Sequence, residues 1–337
     1  MAFTSSLSDW ALRNCEALDL RATRLSWVDE WCPNLIDFIV TIVVNGEMFE
    51  GRGMAASEDL AFTKAVAEAL ERCVMRHSGV YTSNGLAVHS TVESAREGAQ
   101  GELIERDAFF CHWLTKKPFE RILDIQGSTL DIGGAPLGEI NDRISRLGID
   151  LKIAEMQSVR PYSAFICVAS GVNAPRPFGL HLGMGSHIDP SEAIKHAVVE
   201  WLRTTVAWCS PAYSGKAAMT RSEFEANPLK GPQQHELLAF SMESLGKLDH
   251  LLPIQGNLAA NSPILSVQDA DIQFRILEKP ALIMDAPIIA VQAYSHFLQD
   301  AFFGYPKPDR VNLPRLSQFA GSDLKFDDLM SEPHPLG

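Results

Sequence analysis

Long apolar segments are missing from this sequence. The longest apolar run, Phe38–Val44, covers about seven residues, which suits a buried strand and falls far short of the roughly 20 residues that a membrane-spanning helix needs. The N-terminal segment has polar and charged side chains where a signal peptide would have an apolar core. The sequence therefore predicts no membrane helix and no export signal, and we expect a cytoplasmic protein.

Positive charge is also scarce. The chain has 29 Lys and Arg residues against 42 Asp and Glu residues, a net charge of −13, and it contains no run of basic residues. Proteins that bind nucleic acid or anionic lipid usually present a basic patch. We therefore expect neither nucleic acid nor a membrane as a partner.

Cysteines are few and scattered. None of the six forms a CxxC pair, and no His/Cys spacing is typical of a zinc site. Reduced thiols in a cytosolic protein explain this distribution better than disulfides. With 337 residues and 46% hydrophobic content, the chain can bury a sizeable core. We predict one domain over residues 1–337, with a lead-in at 1–35 and an extended proline-rich tail at 305–337.

Hydrophobic periodicity and turn residues predict an α/β fold of layered helices and sheets. Asn45-Gly46 is a strong hairpin signal, while Ser57 and Asp189-Pro190 are typical helix starts. The predicted strands are Phe38–Val44, Glu47–Phe49, Ile149–Met156, Ser163–Ala169, Phe178–Gly183 and Ala281–Ala293. The predicted helices run from Ser57 to about Met75, from Ser90 or Thr91 through Asp107, over Asn141–Leu147, and from Asp189 to about Trp208. The last residues, rich in Pro, Asp and Phe, predict loop.

Two of these helices end in the same pattern, ExxER. The residues concerned are Glu68, Glu71 and Arg72 in one helix and Glu102, Glu105 and Arg106 in the other. Spacings of three and four place such side chains together on a helix surface. If the fold joins both ends, four carboxylates form a site for a hard cation such as Mg²⁺, which usually shares its oxygen ligands with substrate phosphates. The alternative is that each pattern merely decorates a solvated helix face.

Several blocks, in order along the chain, together resemble the YcaO family. They are Gly51-Arg52-Gly53 leading to the helix end at residues 65–72, Ser83–Ala87 followed by residues 102–108, Gly185–Ala193 leading to Glu200, and the tail Pro333-His334-Pro335. The resemblance implies a YcaO-like fold in which long helices pack on sheets and carry the glutamates of an ATP site.

The same resemblance implies ATP-dependent activation of a peptide backbone amide. The expected reaction is cyclodehydration of Cys, Ser or Thr to thiazoline or oxazoline during maturation of a ribosomally made peptide natural product, such as a bacteriocin; thioamide or amidine formation is the alternative chemistry. It implies Mg²⁺ binding by Glu68, Glu71, Glu102 and Glu105. It implies nucleotide binding by Ser83, Asn84, Arg72, Arg106, Glu200 and Arg203. It implies a catalytic tail in which Pro333 and Pro335 present the terminal carboxylate of Gly337 as a base.

Five positions depart from the family pattern and weaken the assignment of activity. They are Ala65, Ser94, Thr204, Gln292 and Gln299. A catalytically degenerate scaffold subunit is therefore the alternative function. By resemblance, the expected partners are a precursor peptide, a separate E1-like protein that binds the leader peptide, and a flavin-dependent dehydrogenase, in a hetero-oligomeric complex.

Overall fold

The computed structural model describes residues 2–210, 216–253 and 265–337. Within them the α-helices are α1 (Ala2–Arg13), α2 (Glu58–His77), α3 (Val92–Thr115), α4 (Leu137–Arg146), α5 (Pro190–Cys209), α6 (Arg221–Ala226), α7 (Pro232–Phe240) and α8 (Leu313–Ala320). The strands are β1 (Arg21–Leu25), β2 (Ile36–Val44), β3 (Glu47–Ala55), β4 (Leu86–His89), β5 (Arg121–Ile122), β6 (Asp131–Ile132), β7 (Ala135–Pro136), β8 (Asp150–Met156), β9 (Ser163–Gly171), β10 (Phe178–His187), β11 (Gln273–Leu277) and β12 (Ile289–Tyr294). No helix of these residues is both long and apolar enough to cross a bilayer.

Packing divides the chain into two units. The first comprises residues 1–103, 133–135 and 272–294, and the second comprises residues 104–132, 136–271 and 295–337. Helix α3 belongs to the first unit up to Leu103 and to the second from Ile104 onward.

The main sheet of the first unit is built on a β-hairpin. Asn45 and Gly46 have φ values of 53° and 79°, the left-handed values that a two-residue hairpin turn requires, and they join β2 to β3 in antiparallel register. The sheet order is β1-β2-β3. Helix α2, capped by Ser57 as predicted, packs on this sheet and buries Ala65, Val66 and Leu70 against it.

A second antiparallel sheet of the first unit has the order β11-β12-β4. The predicted strand Ala281–Ala293 is wrong in its first half. Residues Ala281–Ile283 form a 3₁₀ turn, and the strand β12 starts only at Ile289. Pro287 explains this start, because proline has no N–H with which to join a sheet ladder.

The second unit contains the antiparallel sheet β10-β9-β8-β5. Helix α5 packs on β10 and β9, and it starts as predicted, with Asp189 accepting a hydrogen bond from the Ser191 N–H at 2.8 Å. The last turns of α3 supply large core side chains, among them Phe109, Phe110 and Trp113. The layered α/β class predicted from the sequence is therefore present in each unit.

The proline-rich segment 305–337 is folded against the second unit. Loop was predicted here, but residues 313–320 form α8, which ends at Gly321 with φ 74°. Phe319, His334 and Leu336 are buried, and the His334 carbonyl accepts a hydrogen bond from His235 Nδ1 at 2.7 Å. Burial of these apolar and aromatic groups holds the segment in place, which a composition rich in proline did not reveal.

His112 is a fully buried histidine of the second unit. Its Nδ1 donates to the Lys117 carbonyl at 2.8 Å, and its Nε2 accepts from the Gln157 N–H at 3.0 Å. Only the neutral imidazole satisfies both partners, since the imidazolium has no acceptor nitrogen. Burial lowers the pKa of His112 to about 3.

This buried histidine predicts a loss of stability in acid. The unfolded chain takes up a proton on His112 near pH 6.5, whereas the folded chain does not until near pH 3, so the free energy of unfolding falls with pH across this window by about 1.4 kcal/mol per unit. Urea unfolding at several pH values between 7 and 4 (roughly the window of that linkage) measures the slope. We expect a shallower slope for His112→Gln, and equal slopes would contradict the prediction.

Candidate functional site

Three glutamate side chains interact in the first unit. Glu68 and Glu71 lie near the end of α2, and Glu102 lies on α3. The pKa of Glu71 is raised well above its ordinary value, first because burial removes water from the carboxylate and then because the charges of Glu102 and Glu68 oppose its ionisation. Arg72 and the Val88 N–H act in the opposite direction without cancelling the shift. The structure thus brings together three of the four predicted metal ligands.

Two of these carboxylates are held by backbone amides of neighbouring strands. The Arg52 N–H donates to Glu68 Oε2 at 3.0 Å, and the Leu86 N–H donates to Glu102 Oε2 at 3.0 Å. The Arg72 guanidinium donates to Glu68 Oε1 at 2.7 Å. Backbone amides leave no signature in a sequence, so sequence reasoning missed these two donors.

Glycines allow the strand amide to reach Glu68. A Cβ atom at Gly51 would lie 2.1 Å from the Ala65 carbonyl oxygen, and one at Gly53 would lie 2.0 Å from the Ala61 carbonyl oxygen. Any other residue at either position would push α2 away from β3, because the obstructing atoms belong to the helix backbone. The glycine-rich lead-in therefore serves close packing of strand and helix.

The turn that carries Ser83 and Asn84 lies at the start of β4, also in the first unit. Ser83 is exposed and Asn84 is buried, and Gly85 has φ 66°. Gln292 Nε2 donates a hydrogen bond to the Asn84 carbonyl of this turn at 3.5 Å. The Arg275 guanidinium in turn donates from Nε to Gln292 Oε1 at 2.8 Å. Gln292 departs from the family pattern, where arginine is expected, and Arg275 on the adjacent strand brings a guanidinium to the Gln292 side chain.

The other predicted nucleotide-binding residues belong to the second unit. Glu200 lies on α5 and accepts a hydrogen bond from the Met184 N–H at 2.6 Å. Arg203 follows one turn later and is half-buried, as are Glu105 and Arg106 on α3. Within the second unit, burial and then the charge of His235 lower the pKa of His334, and the charge of Arg106 acts in the same direction.

The chain terminus lies against α7 of the second unit. Pro333 and Pro335 are buried, and Gly337 is exposed. A Cβ atom at Gly337 would lie 2.6 Å from Glu236 Cβ, so the last residue packs directly on the helix. The role of its carboxylate as a base stays a prediction.

The other four residues that depart from the family pattern can each be located in the structure. Gln299 is fully buried; its Oε1 accepts from the Asn312 N–H at 2.8 Å and its Nε2 donates to the Arg310 carbonyl at 3.1 Å. Ser94 lies in the first turn of α3, where its N–H donates to Thr91 Oγ1. Ala65 is fully buried in α2. Thr204 is half-buried on α5. The hydrogen bonds of Gln299 thus fix the loop that contains Arg310 and Asn312, at a position where the family pattern has an acidic residue.

Comparison with known proteins identifies the chain. A family model described as YcaO cyclodehydratase, ATP- and Mg²⁺-binding, matches residues 74–263. This match covers more than half of the sequence. The chain belongs to the YcaO family. The resemblance drawn from the sequence motifs is confirmed, and so are ATP and Mg²⁺ as the cofactors given for the family. No match was found among curated proteins.

Two solved structures share the YcaO fold of this chain. A heterocyclase in complex with substrate and cofactor aligns with a TM-score of 0.63 and 13% identity, over 94% of this chain and 55% of that one. YcaO from Methanopyrus kandleri, bound with AMPPCP and Mg²⁺, aligns with a TM-score of 0.58 and 13% identity, over 88% of this chain and 91% of that one. This YcaO chain spans about half the length of the heterocyclase. At these identities the likeness shows the fold, which confirms the predicted YcaO-like architecture.

The carboxylates of the first unit fit a magnesium ion. Mg²⁺ takes hard oxygen ligands, and the dication would offset the burial and like-charge repulsion that raise the pKa of Glu71. Among the described residues, no group of three or more His, Cys, Asp or Glu side chains is placed to hold a metal ion by itself. Mg²⁺ in proteins usually keeps waters and phosphate oxygens as ligands, so the glutamates here would supply only part of its coordination. Glu68, Glu71 and Glu102 are the residues that would hold it.

Proposed function

We propose that this YcaO protein catalyses ATP-dependent cyclodehydration of Cys, Ser or Thr residues in a ribosomally made precursor peptide. The observation that carries the proposal is the group of Glu68, Glu71 and Glu102. Strand amides hold Glu68 and Glu102, and burial together with the charges of both raises the pKa of Glu71. A crowded, poorly hydrated group of carboxylates disfavours the folded apo protein, and a bound cation removes that penalty. Such a group in an ATP- and Mg²⁺-binding family is best explained by binding of a metal–nucleotide complex.

The contribution of the protein is positioning and charge neutralisation. When bound, Mg²⁺–ATP supplies the phosphoryl group that carries away the oxygen of the peptide amide. Phosphoryl transfer needs little covalent help from the protein. Glu68, Glu71 and Glu102 hold the cation, and the Arg72 guanidinium, already on Glu68, balances negative charge beside it. Ser83 and Asn84 contact the nucleotide from the turn at β4.

The assignment of the second unit's residues rests on the family motifs. Glu105 is proposed as a further metal ligand, and Arg106, Glu200 and Arg203 as nucleotide-binding residues. In the tail, Pro333 and Pro335 are proposed to fix the terminal carboxylate of Gly337, which takes the proton released by the attacking thiol or hydroxyl. A carboxylate is a suitable general base when the geometry holds it near its proton.

The partners proposed from the resemblance are the precursor peptide, a separate E1-like protein that binds its leader, and a flavin-dependent dehydrogenase that oxidises azolines. A hetero-oligomeric, peptide-modifying complex is the proposed assembly. A cytoplasmic location belongs to this proposal, because ATP and newly made peptides meet there. Use of sulfide or an amine in place of the side-chain nucleophile gives the thioamide or amidine variant.

A scaffold without catalysis is the second candidate. It is favoured by Gln299, whose side chain is engaged in holding the Arg310–Asn312 loop where the family pattern has an acid. In that case the fold serves a complex by holding partners, and the protein hydrolyses no ATP.

Mass analysis and nucleotide turnover test the proposal together. With its co-purified partners and the peptide, the protein is expected to consume ATP only when peptide is present and to yield a product lighter by one water for each ring. Exchange of one oxygen for one sulfur indicates thioamide formation instead. Glu105→Gln is expected to abolish turnover, whereas Glu97→Gln on the exposed face of the same helix is expected to retain it. Failure to bind ATP, with or without partners, would select the scaffold.

A further inference from the structure

Among the described residues of this YcaO chain, the same hydrogen bond between a strand and a helix occurs at three places. In each case a strand N–H donates to Oε2 of a helix glutamate 16 residues later. The pairs are Arg52 with Glu68, Leu86 with Glu102, and Met184 with Glu200, at 3.0, 3.0 and 2.6 Å. Three identical sequence separations point to a repeated structural element.

The helix caps repeat at the same separation. Five residues after the donating amide stand Ser57, Thr91 and Asp189, respectively. Each of these side chains accepts a hydrogen bond from a backbone N–H in the first turn of its helix. The number of residues from the donating strand amide to the helix cap is therefore the same in all three places.

The glycines that flank the amide repeat as well. A Cβ at Gly183 would meet the Ala197 carbonyl at 2.5 Å, and a Cβ at Gly185 would meet the Ala193 carbonyl at 2.1 Å. These atoms have the same sequence separations as the Ala65 and Ala61 carbonyls that face Gly51 and Gly53. Leu86 is preceded by a glycine but followed by Ala87, and a Cβ at Gly98 on the helix would lie 3.1 Å from the Ala87 Cβ.

The helix residues that face the strands are the same in all three places. Nine and thirteen residues after the amide, each helix has a fully buried alanine: Ala61 and Ala65, Ala95 and Ala99, Ala193 and Ala197. Alanine combines high helix propensity with a side chain small enough to let the helix approach the strand closely.

We propose that the described part of the chain contains three copies of one strand–helix element, in which the backbone amides of Arg52, Leu86 and Met184 position Glu68, Glu102 and Glu200 for the binding role proposed for each of them. The part that concerns nucleotide binding rests on the proposed function. A hydrogen bond to a carboxylate is short and strong, and a carboxylate has room for about four hydrogen bonds. The amide therefore fixes the glutamate and leaves its carboxylate able to bind a cation as well. At Glu68 that cation is the guanidinium of Arg72.

The copies differ directly after the shared glutamate. Three residues later stand Glu71, Glu105 and Arg203, and the next residues are Arg72, Arg106 and Thr204. Two copies thus keep the Glu-Arg pair and the third carries a cation in its place. The shared part of the element is the one that positions the glutamate, and the part that varies is the charge offered beside it.

Glutamine and aspartate substitutions separate positioning from charge. At Glu68, Glu102 and Glu200, glutamine keeps an oxygen that the amide can bind, whereas aspartate keeps the charge but is shorter by about 1.5 Å. We expect the three Gln variants to keep the Tm within about 2 °C and the three Asp variants to lose about 3 °C or more. Calorimetry well below the Tm is expected to show Mg²⁺–ATP binding weakened at least about tenfold by Asp although the charge is retained.

Glu97→Asp and Glu97→Gln are the matched controls, because Glu97 is exposed on α3. Gly185→Ala is a further variant that displaces α5 and is expected to lower the Tm, whereas Gly231→Ala, with only the Gln234 side chain near its Cβ, is not. Asp variants that bind Mg²⁺–ATP as wild type does would overturn the positioning role. If the order of the Tm values of wild type, the Gln variant and the Asp variant differed between the three glutamates, the repeat would be overturned. If wild type binds no nucleotide but the Tm order holds, the repeat is supported and the proposed function alone fails.

Discussion

Replacing Glu71 by Gln is expected to stabilise the protein without nucleotide and to weaken its binding of Mg²⁺–ATP. The substitution removes a carboxylate whose ionisation is opposed by burial and by Glu102 and Glu68. We expect Tm to rise by roughly 1–2 °C, the shift that about 1 kcal/mol gives in a protein of this size. Without the charge, the affinity for Mg²⁺–ATP is expected to fall at least about 100-fold, which is about 2.7 kcal/mol.

Thermal unfolding with and without Mg²⁺–ATP measures both effects. At a ligand concentration well below the Kd of the variant, ligand raises the Tm of wild type by mass action and leaves that of the variant nearly unchanged, so the order of the two Tm values inverts. Without nucleotide, the stability advantage of the variant over wild type grows as pH rises above about 4.5. The folded-state pKa of Glu71 is raised, so ionisation of this group lowers the free energy of unfolding only at pH values above its pKa in the unfolded chain. Glu97→Gln serves as the control. A variant less stable than wild type at neutral pH would contradict the prediction.

Local sequence signals predicted much of the fold. Asn45-Gly46, Ser57 and Asp189-Pro190 act through backbone geometry and hydrogen bonds within a few residues, and each is found as predicted. The strand expected over Ala281–Ala293 was wrong in its first half, since an apolar run cannot distinguish a strand from a buried turn. The segment 305–337 was misjudged because the burial of His334 and Phe319 depends on side chains distant in the sequence.

The candidate site was only partly predictable. Glu68, Glu71 and Glu102 were selected because charged residues at helical spacing are visible in a sequence, and in the structure the charges of Glu102 and Glu68 act on Glu71. Their role as metal ligands stays a prediction. The donors of Arg52, Leu86 and Met184 were missed, since any residue except proline offers the same N–H. The three copies escape notice because few positions must be identical: a glutamate, two small residues and a cap.

Asp107 is a further group to which sequence reasoning gave no role. It follows Arg106 on α3 and is fully buried with Arg315 of α8, which is 2% exposed. Arg315 Nη2 lies 2.6 Å from Asp107 Oδ2 and its Nε lies 3.1 Å from Oδ1, which also accepts the Gln299 N–H at 2.8 Å. The carboxylate thus ties α8 and the Gln299 loop to the helix turn that carries Glu105.

Removing one partner of this buried pair is expected to be costly. Arg315→Met leaves Asp107 as an uncompensated buried charge, and we expect a loss of about 3–5 kcal/mol in the free energy of unfolding. Arg221→Met is the matched control in the same unit, since Arg221 pairs with Glu332 at a half-exposed surface, where an ion pair contributes about 1 kcal/mol or less. Urea unfolding of both variants measures the difference. Adding Asp107→Leu to Arg315→Met removes the stranded charge and is expected to restore part of the loss. Equal effects of the two arginine substitutions would mean that Asp107 is not held by charge pairing, and the path from the tail to the Glu105 turn would have to run through packing alone.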